Sequence, residues 1–139
     1  MPQVDVLLLV NNDTPETILL IERDVLVRTA VAKYLRGCGY RVIESASTDE
    51  ALTILQEDGI EVDVAVIDAT APGSTNGFAL IQWLEKHRPS VKTLLVGTPE
   101  RAVAAAGGLC EEGPAPAAMH LNPQLLHDEI RRLLASRRR

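Results

Sequence analysis

Hydrophobic residues occur along this chain in short runs that alternate with segments of helical spacing. Runs rich in β-branched residues predict strands at 17–22, 40–45, 62–68 and 91–96, with a weaker candidate at 117–121. The segments that follow these strands carry apolar residues at the spacing of amphipathic helices. Five such alternations predict an α/β fold, a doubly wound five-stranded parallel sheet with helices on both faces (a flavodoxin-like arrangement).

Polar residues of the capping type mark where the predicted helices begin. The candidate N-caps are Asp24, Ser47 with Glu50 three residues on, Asn76, and Asn122 followed by Pro123; an Ala-rich helix is predicted from Pro99 to Cys110. In the helix after Asn76, the pattern predicts a buried stripe of Phe78, Ile81 and Leu84, together with Trp83. Gly59 is the predicted end of the helix that begins near Ser47.

The pattern predicts one domain at 17–136, preceded by an extension at 1–16 and followed by a basic tail at 137–139. The extension contains a short apolar run, Val4 to Val10, that stops at a dense turn signal. Three interpretations of this run stay open: an additional edge strand, an arm that packs on another subunit, and a disordered extension.

Composition narrows the function classes. The chain has 139 residues and a formal charge of -5, which argues against a general nucleic-acid binder. The arginines near its end are typical of a solvent-exposed helix C-terminus, where positive charge interacts favourably with the helix dipole. Its two cysteines form no CxxC motif, so the sequence suggests neither a disulfide framework nor a zinc site and favours the reducing cytoplasm. No apolar run is long enough to span a bilayer, so no membrane contact is expected.

The stretch from Val62 to Gly77 is the strongest candidate for chemistry. An apolar run typical of a strand buried on both faces ends at Asp68 and gives way to turn residues. In open α/β sheets, ligands bind outside the carboxyl ends of the strands, so Asp68 is well placed for function. The alternative is that Asp68 only caps the loop, whose run of Gly73, Ser74, Thr75 and Asn76 predicts high flexibility.

Several segments together resemble the receiver domain of bacterial two-component response regulators: ILLIERD, the turn around Gly37 and Tyr40, STDEAL, VAVIDATAP and the later Gly77. The resemblance covers about residues 17–136. It implies a signalling module rather than an enzyme, in which an Asp ending the third strand accepts a phosphoryl group from a kinase histidine. That Asp matches Asp68.

The resemblance also implies Mg²⁺ held by carboxylates, and here this chain departs from the family. Glu22, Asp68 and the backbone carbonyl of Thr70 match metal ligands, but the second acid of the family is replaced by Arg23, which cannot ligate Mg²⁺. Asp24 would substitute only if the first strand were shifted by one residue. Arg23 either takes the place of the metal and pairs with Asp68, or points to solvent.

Further family positions are altered. The hydroxyl expected at the end of the fourth strand aligns with Gly97, and Thr98 comes one residue late. The expected Lys-Pro aligns with Asn122–Pro123 or with Met119–His120, and neither pair contains lysine. No aromatic residue follows Trp83, and the loop after Asp68 is one residue longer than the family pattern.

Three functions remain open. The first is an atypical receiver that signals with weak or no Mg²⁺-dependent phosphorylation, and the second is a competent response regulator that is phosphorylated on Asp68. The third is a nucleotide- or flavin-binding domain, although no glycine-rich phosphate loop follows the first strand. By resemblance, the partners of a receiver would be a histidine kinase, a phosphotransfer protein or a second copy of the chain.

Overall fold

The computed structural model describes residues 14–97 and 123–137. Four strands and four helices lie in these ranges, in the order β1 (Thr17–Ile21), α1 (Val25–Gly37), β2 (Arg41–Ser45), α2 (Thr48–Leu55), β3 (Val64–Asp68), α3 (Gly77–His87), β4 (Lys92–Val96) and α4 (Pro123–Arg137). Among these elements, no helix has the length and apolar character needed to cross a membrane.

The four described strands form one parallel sheet in the order β2-β1-β3-β4. The chain leaves β2, passes over β1 and returns beside it as β3, which is the reversal of direction that defines a doubly wound sheet. All four carboxyl ends therefore lie at one edge of the sheet. The predicted parallel α/β architecture is confirmed for these strands, and the predicted fifth strand lies outside the described residues.

Alternate residues of the strands pack on opposite faces of the sheet, because side chains in a strand point alternately to its two sides. On one face, Ile18, Val64 and Val66 pack with α1 and α4. On the other face, Leu19, Ala65 and Ile67 pack with α2 and α3. The buried stripe of α4 consists of Leu126, Ile130 and Leu134, as its spacing predicts.

The predicted helix caps within the described residues are confirmed. The Asp24 carboxylate accepts hydrogen bonds from the amides of Leu26 and Val27, and Asn76 Oδ1 accepts one from the amide of Ala79. At α2, Ser47 Oγ accepts from the amide of Glu50, while the Glu50 carboxylate accepts from the amide of Ala46 instead of the Ser47 amide of a standard capping box.

Two details of the sequence analysis are wrong. The α3 residues that are fully buried are Gly77, Leu80 and Leu84, whereas Phe78, Ile81 and Trp83 are half-buried. The sheet-facing stripe is therefore turned by about one residue from the predicted one, because the small Gly77 allows the start of the helix to approach β3. Helix α2 ends at Leu55 with Gln56 as its C-cap, before the predicted end at Gly59.

Among the described strands, β2 is one of the two edge strands of the sheet. In a parallel pair, backbone groups of alternate residues point toward and away from the neighbouring strand. Because the Arg41 amide donates to Glu16 O of the chain leading into β1, the carbonyl of Val42 faces outward. Arg36 of α1 donates to this carbonyl at 2.8 Å and also pairs with Glu44, so a guanidinium group covers part of the exposed edge.

The run Val4 to Val10, the predicted helix at 99–110, the predicted strand at 117–121 and the end of the tail lie outside the described residues.

Candidate functional site

The register of the sheet brings two carboxylic acids together at the carboxyl edge. Ile21 of β1 lies beside Ile67 of β3, so the next residues, Glu22 and Asp68, are also neighbours. Both side chains are buried, with exposed fractions of 4% and 2%. Buried acids require a proton, a cation or hydrogen-bond donors, so their surroundings determine what the pair can do.

Asp68 is held by the residue that follows it by two positions. Its Oδ1 accepts hydrogen bonds from the amide and from the hydroxyl Oγ1 of Thr70, both at 2.9 Å. The backbone continues this arrangement, since the Asp68 carbonyl accepts from the Ala71 amide at 3.0 Å. The turn after β3 therefore fixes the orientation of the Asp68 carboxylate.

Glu22 is the perturbed acid of the pair. Burial raises the pKa of Glu22 from 4.5 to about 7, and the charge of Asp68 and a side-chain hydrogen bond to Asp68 act in the same direction. The Asp24 amide donates to Glu22 Oε2 at 3.0 Å and lowers this pKa in part. Glu22 therefore keeps its proton to a higher pH than an exposed glutamate does, and a side-chain hydrogen bond joins it to Asp68.

The two residues after Glu22 have different roles. Arg23 is exposed, and no ion pair joins it to Asp68 among the residues that the structure describes, so the solvent-facing interpretation of Arg23 is the one this conformation favours. Asp24 is exposed, and its side chain forms the N-cap of α1. The charge of Asp24 nevertheless contributes to the raised pKa of Glu22, which places the two acids near each other.

Gly97 lies directly against Asp68 at the end of β4. A Cβ atom added to Gly97 would lie 3.5 Å from Asp68 Oδ1, which is an ordinary contact distance. The φ angle of Gly97 is +138°, a conformation that residues with a side chain rarely adopt. The backbone here is thus arranged for glycine, and the difference from the family extends beyond the loss of a hydroxyl.

The loop after Asp68, whose composition predicts high flexibility, is hydrogen-bonded to the start of α2. The Thr48 hydroxyl donates to Thr75 O at 2.7 Å, and the Thr48 amide donates to Pro72 O at 2.8 Å. The Ser74 amide donates to both carboxylate oxygens of Asp49, each at 3.2 Å. The sequence analysis missed these anchors because Thr48 and Asp49 are distant in sequence and look like ordinary first-turn residues of a helix.

The donor set for Mg²⁺ is incomplete but chemically suitable. The Glu22 and Asp68 carboxylates and the Thr70 carbonyl are hard oxygen ligands, and Mg²⁺ sites often contain one or two carboxylates completed by water. In the described ranges, however, no group of three His, Cys, Asp or Glu residues is arranged to hold a metal ion. In this chain, Glu22, Asp68 and the Thr70 carbonyl are the groups that would hold Mg²⁺.

Thr98 and Asn122, the other sequence-predicted positions, lie outside the described residues. Of the predicted set, the structure brings Glu22, Asp68, Thr70 and Gly97 to one place and assigns Asp24 to a helix cap. Glu22 directly follows β1 and Asp68 is the last residue of β3, and both lie an even number of positions from strand residues on the same sheet face. This spacing is the sequence signal from which the pairing of Glu22 with Asp68 follows.

Comparisons with known proteins agree with this geometry. The family model described as response regulator receiver domain matches residues 18–112. A stretch of 80 residues, 58% of this chain, is 40% identical to the sensor kinase CckA of Brucella abortus (strain 2308) but covers only 8% of that kinase.

Solved structures show the same fold. A CheY-like response regulator receiver domain protein from Methanospirillum hungatei JF-1 superposes with a TM-score of 0.68 at 21% identity, covering 90% of this chain and 98% of that one. A putative response regulator from Chloroflexus aurantiacus J-10-fl also has a TM-score of 0.68, at 25% identity, covering 88% of this chain and 99% of that one.

Proposed function

Because this chain belongs to the response regulator receiver domain family, we propose that it is an atypical receiver of two-component signalling, in which Asp68 keeps the phosphoacceptor position while Mg²⁺-dependent phosphorylation is weak or absent. The observation that carries this proposal is the buried pair of Glu22 and Asp68, which share a hydrogen bond. Receiver domains in general use Mg²⁺ for phosphorylation. The metal would be held by Glu22, Asp68 and the Thr70 carbonyl, and it would neutralise charge on the incoming phosphoryl oxygens.

The altered neighbours of Asp68 support a weak site. A second acid would add charge for Mg²⁺, but Arg23 stands at that position and its side chain is exposed. The Asp24 carboxylate already accepts hydrogen bonds from two backbone amides of α1. Because the pKa of Glu22 is raised, its proton would also have to leave before this carboxylate could bind a cation, which disfavours metal binding.

The contacts that would stabilise the transferred phosphoryl group are reduced as well. Gly97 offers no hydroxyl beside Asp68, and its backbone conformation is unfavourable for serine or threonine. The three lysines of the chain are Lys33, Lys86 and Lys92, and none follows β4. Phosphoryl transfer depends on positioned cations and hydrogen-bond donors, so each loss lowers the rate or the lifetime of the phosphorylated form.

The second candidate is a competent phosphoacceptor. It is favoured by the fixed orientation of the Asp68 carboxylate, which Thr70 holds through two hydrogen bonds. With Oδ1 fixed by Thr70, Oδ2 is the oxygen that would attack the phosphorus of a phosphohistidine. The new bond forms between Oδ2 and phosphorus while the phosphorus–nitrogen bond breaks, and the leaving imidazole keeps the electron pair and takes up a proton. The donor would be a histidine kinase or a phosphotransfer protein of the cytoplasm, and the likeness to CckA supports a donor of this class.

Intact-mass measurement distinguishes the two candidates. The full chain is incubated with Mg²⁺ and either acetyl phosphate or a phosphohistidine-bearing phosphotransfer protein, beside Asp68→Asn and the exposed control Asp58→Asn. The atypical receiver gains little or no phosphate from either donor. A full added phosphate on the wild type and on Asp58→Asn, but not on Asp68→Asn, would establish the competent phosphoacceptor instead.

A further inference from the structure

The loop from Pro72 to Asn76 rests on the first turn of α2 through contacts from two consecutive residues. Thr48 donates from its amide to Pro72 O at 2.8 Å and from its hydroxyl to Thr75 O at 2.7 Å. Asp49 accepts the Ser74 amide. Two consecutive positions in the first turn of α2 are thereby tied to residues more than twenty positions later in the chain.

Packing at this contact leaves no free space. Thr48 is completely buried. A Cβ atom at Gly73 would lie 2.0 Å from Thr48 Oγ1 and 3.1 Å from the Asp49 amide nitrogen, and Gly73 has a φ of +142°. Only glycine meets both conditions, so the turn at Gly73 and the hydroxyl of Thr48 are fitted to each other.

The hydroxyl of Thr75 does not hold the loop in place. Its Oγ1 is buried and has no hydrogen-bond partner among the residues that the structure describes. The Thr75 backbone carbonyl, in contrast, is bound by Thr48. At Thr75, the hydrogen bond that holds the loop therefore comes from α2 and not from the Thr75 hydroxyl.

Residues on both sides of this loop contact Asp68. Before the loop, Thr70 donates its amide and its hydroxyl to Asp68 Oδ1. After the loop, Gly77, the first residue of α3, packs on the backbone of Asp68, since a Cβ there would lie 3.3 Å from the Asp68 carbonyl oxygen. Displacement of the middle of the loop would therefore be transmitted to Asp68 from both sides.

We propose that Thr48 is a positioning residue for Asp68, acting through the loop that its hydroxyl and amide hold against α2. Asp49 assists by binding the Ser74 amide. This role rests on the proposed function only in that Asp68 is the phosphoacceptor position. Its test uses backbone measurements without any phosphoryl donor, so its failure and that of the proposed function are separate results.

The test compares Thr48→Val with Thr48→Ser in the full chain, with Thr53→Val as the matched control. Thr53 lies on the same helix, and its hydroxyl donates to Asp49 O, so this control removes a threonine hydroxyl from α2 without touching the loop. Amide hydrogen exchange and amide chemical shifts are followed by NMR at Thr70 and Ser74, with Leu19 and Val66 as core references.

Thr48→Val is expected to speed exchange at Thr70 and Ser74 by roughly five- to tenfold relative to the core references, because a local opening becomes easier. It should also shift the Thr70 amide resonance, which reports the bond to Asp68. Thr48→Ser should restore both signals, and Thr53→Val should change neither. Unaltered Thr70 signals in Thr48→Val, or equal changes in Thr53→Val, would overturn the proposal.

If Thr48→Val does not fold, Asp49→Ala decides the question, because this residue is exposed and alanine removes the acceptor of the Ser74 amide. Faster exchange at Ser74 together with a shifted Thr70 resonance supports the positioning role. Wild-type behaviour of Thr70 in Asp49→Ala would show that the loop contact is not transmitted to Asp68 and would refute it.

Discussion

Replacing Glu22 with glutamine should change how stability depends on pH. The pKa of Glu22 is raised from 4.5 to about 7 in the folded protein, chiefly by burial and then by the neighbouring Asp68. The folded state therefore holds this proton more tightly than the unfolded chain does. The associated stability is fully present below 4.5 and is lost as the pH rises through about 7.

The magnitude follows from the same values. Each pKa unit corresponds to about 1.4 kcal/mol, so the wild type should lose roughly 3 kcal/mol of unfolding free energy across this window through Glu22 alone. Glutamine keeps the size of the side chain and cannot ionise. We expect the advantage of Glu22→Gln over the wild type to grow by roughly 2 to 3 kcal/mol between about pH 5 and about pH 8.5.

Urea unfolding at a series of pH values, followed by far-ultraviolet circular dichroism, measures this difference. The matched control is Glu85→Gln, the same change at an exposed position of α3, whose difference from the wild type should be independent of pH. Groups far from Glu22 contribute equally to both profiles, so the difference between the profiles reports on Glu22 and its coupled neighbour Asp68 as a unit. Parallel profiles for Glu22→Gln and the wild type would refute the raised pKa of Glu22.

Three further results are expected. Mg²⁺ affinity, measured by calorimetry, should be higher at about pH 8.5 than at about pH 6, because the cation and the Glu22 proton compete for the same oxygens; an affinity that does not change with pH would contradict this competition. Gly97→Ala should lower the unfolding free energy by about 1 to 3 kcal/mol, because φ at this position is +138°, whereas Gly59→Ala, at a glycine with open space around it, should have little effect. Equal losses in the two urea titrations would show that the Gly97 conformation is not special. Thr75→Val should raise the unfolding free energy by about 1 kcal/mol in the same titration, because it removes a buried hydroxyl that is unpartnered among the described residues, and a loss of stability would count against that assignment.

Features encoded by neighbouring residues could be predicted from the sequence. The caps Asp24, Ser47 and Asn76 depend on one side chain and on amides two or three residues ahead, so a local pattern is sufficient. The strands are recognisable because each is a compact β-branched run, and their parallel order follows from the helices between them. The location of Asp68 at a strand end follows from the same pattern.

Features that depend on distant contacts could not be predicted in the same way. The loop after Asp68 has the composition of a flexible segment, but Thr48 and Asp49 bind it from another helix. The buried stripe of α3 differs from the predicted one because the close approach of Gly77 to Ile67 and Asp68 sets the rotation of the helix. The spacing of apolar residues within the helix contains no information about that contact. Predicting the raised pKa of Glu22 likewise requires knowing the strand register and how deeply the side chain is buried.

The guanidinium of Arg36 has a consequence for association between chains. An uncovered edge strand offers its outward carbonyls and amides to any other strand that approaches, which is a common route to unwanted pairing. At β2, Arg36 already occupies the outward carbonyl of Val42 and is held there by Glu44. A strand from a second copy would have to displace a charged side chain and break its ion pair before pairing with β2. A residue that resembles ordinary surface charge on a helix thus protects the sheet from growing at this edge.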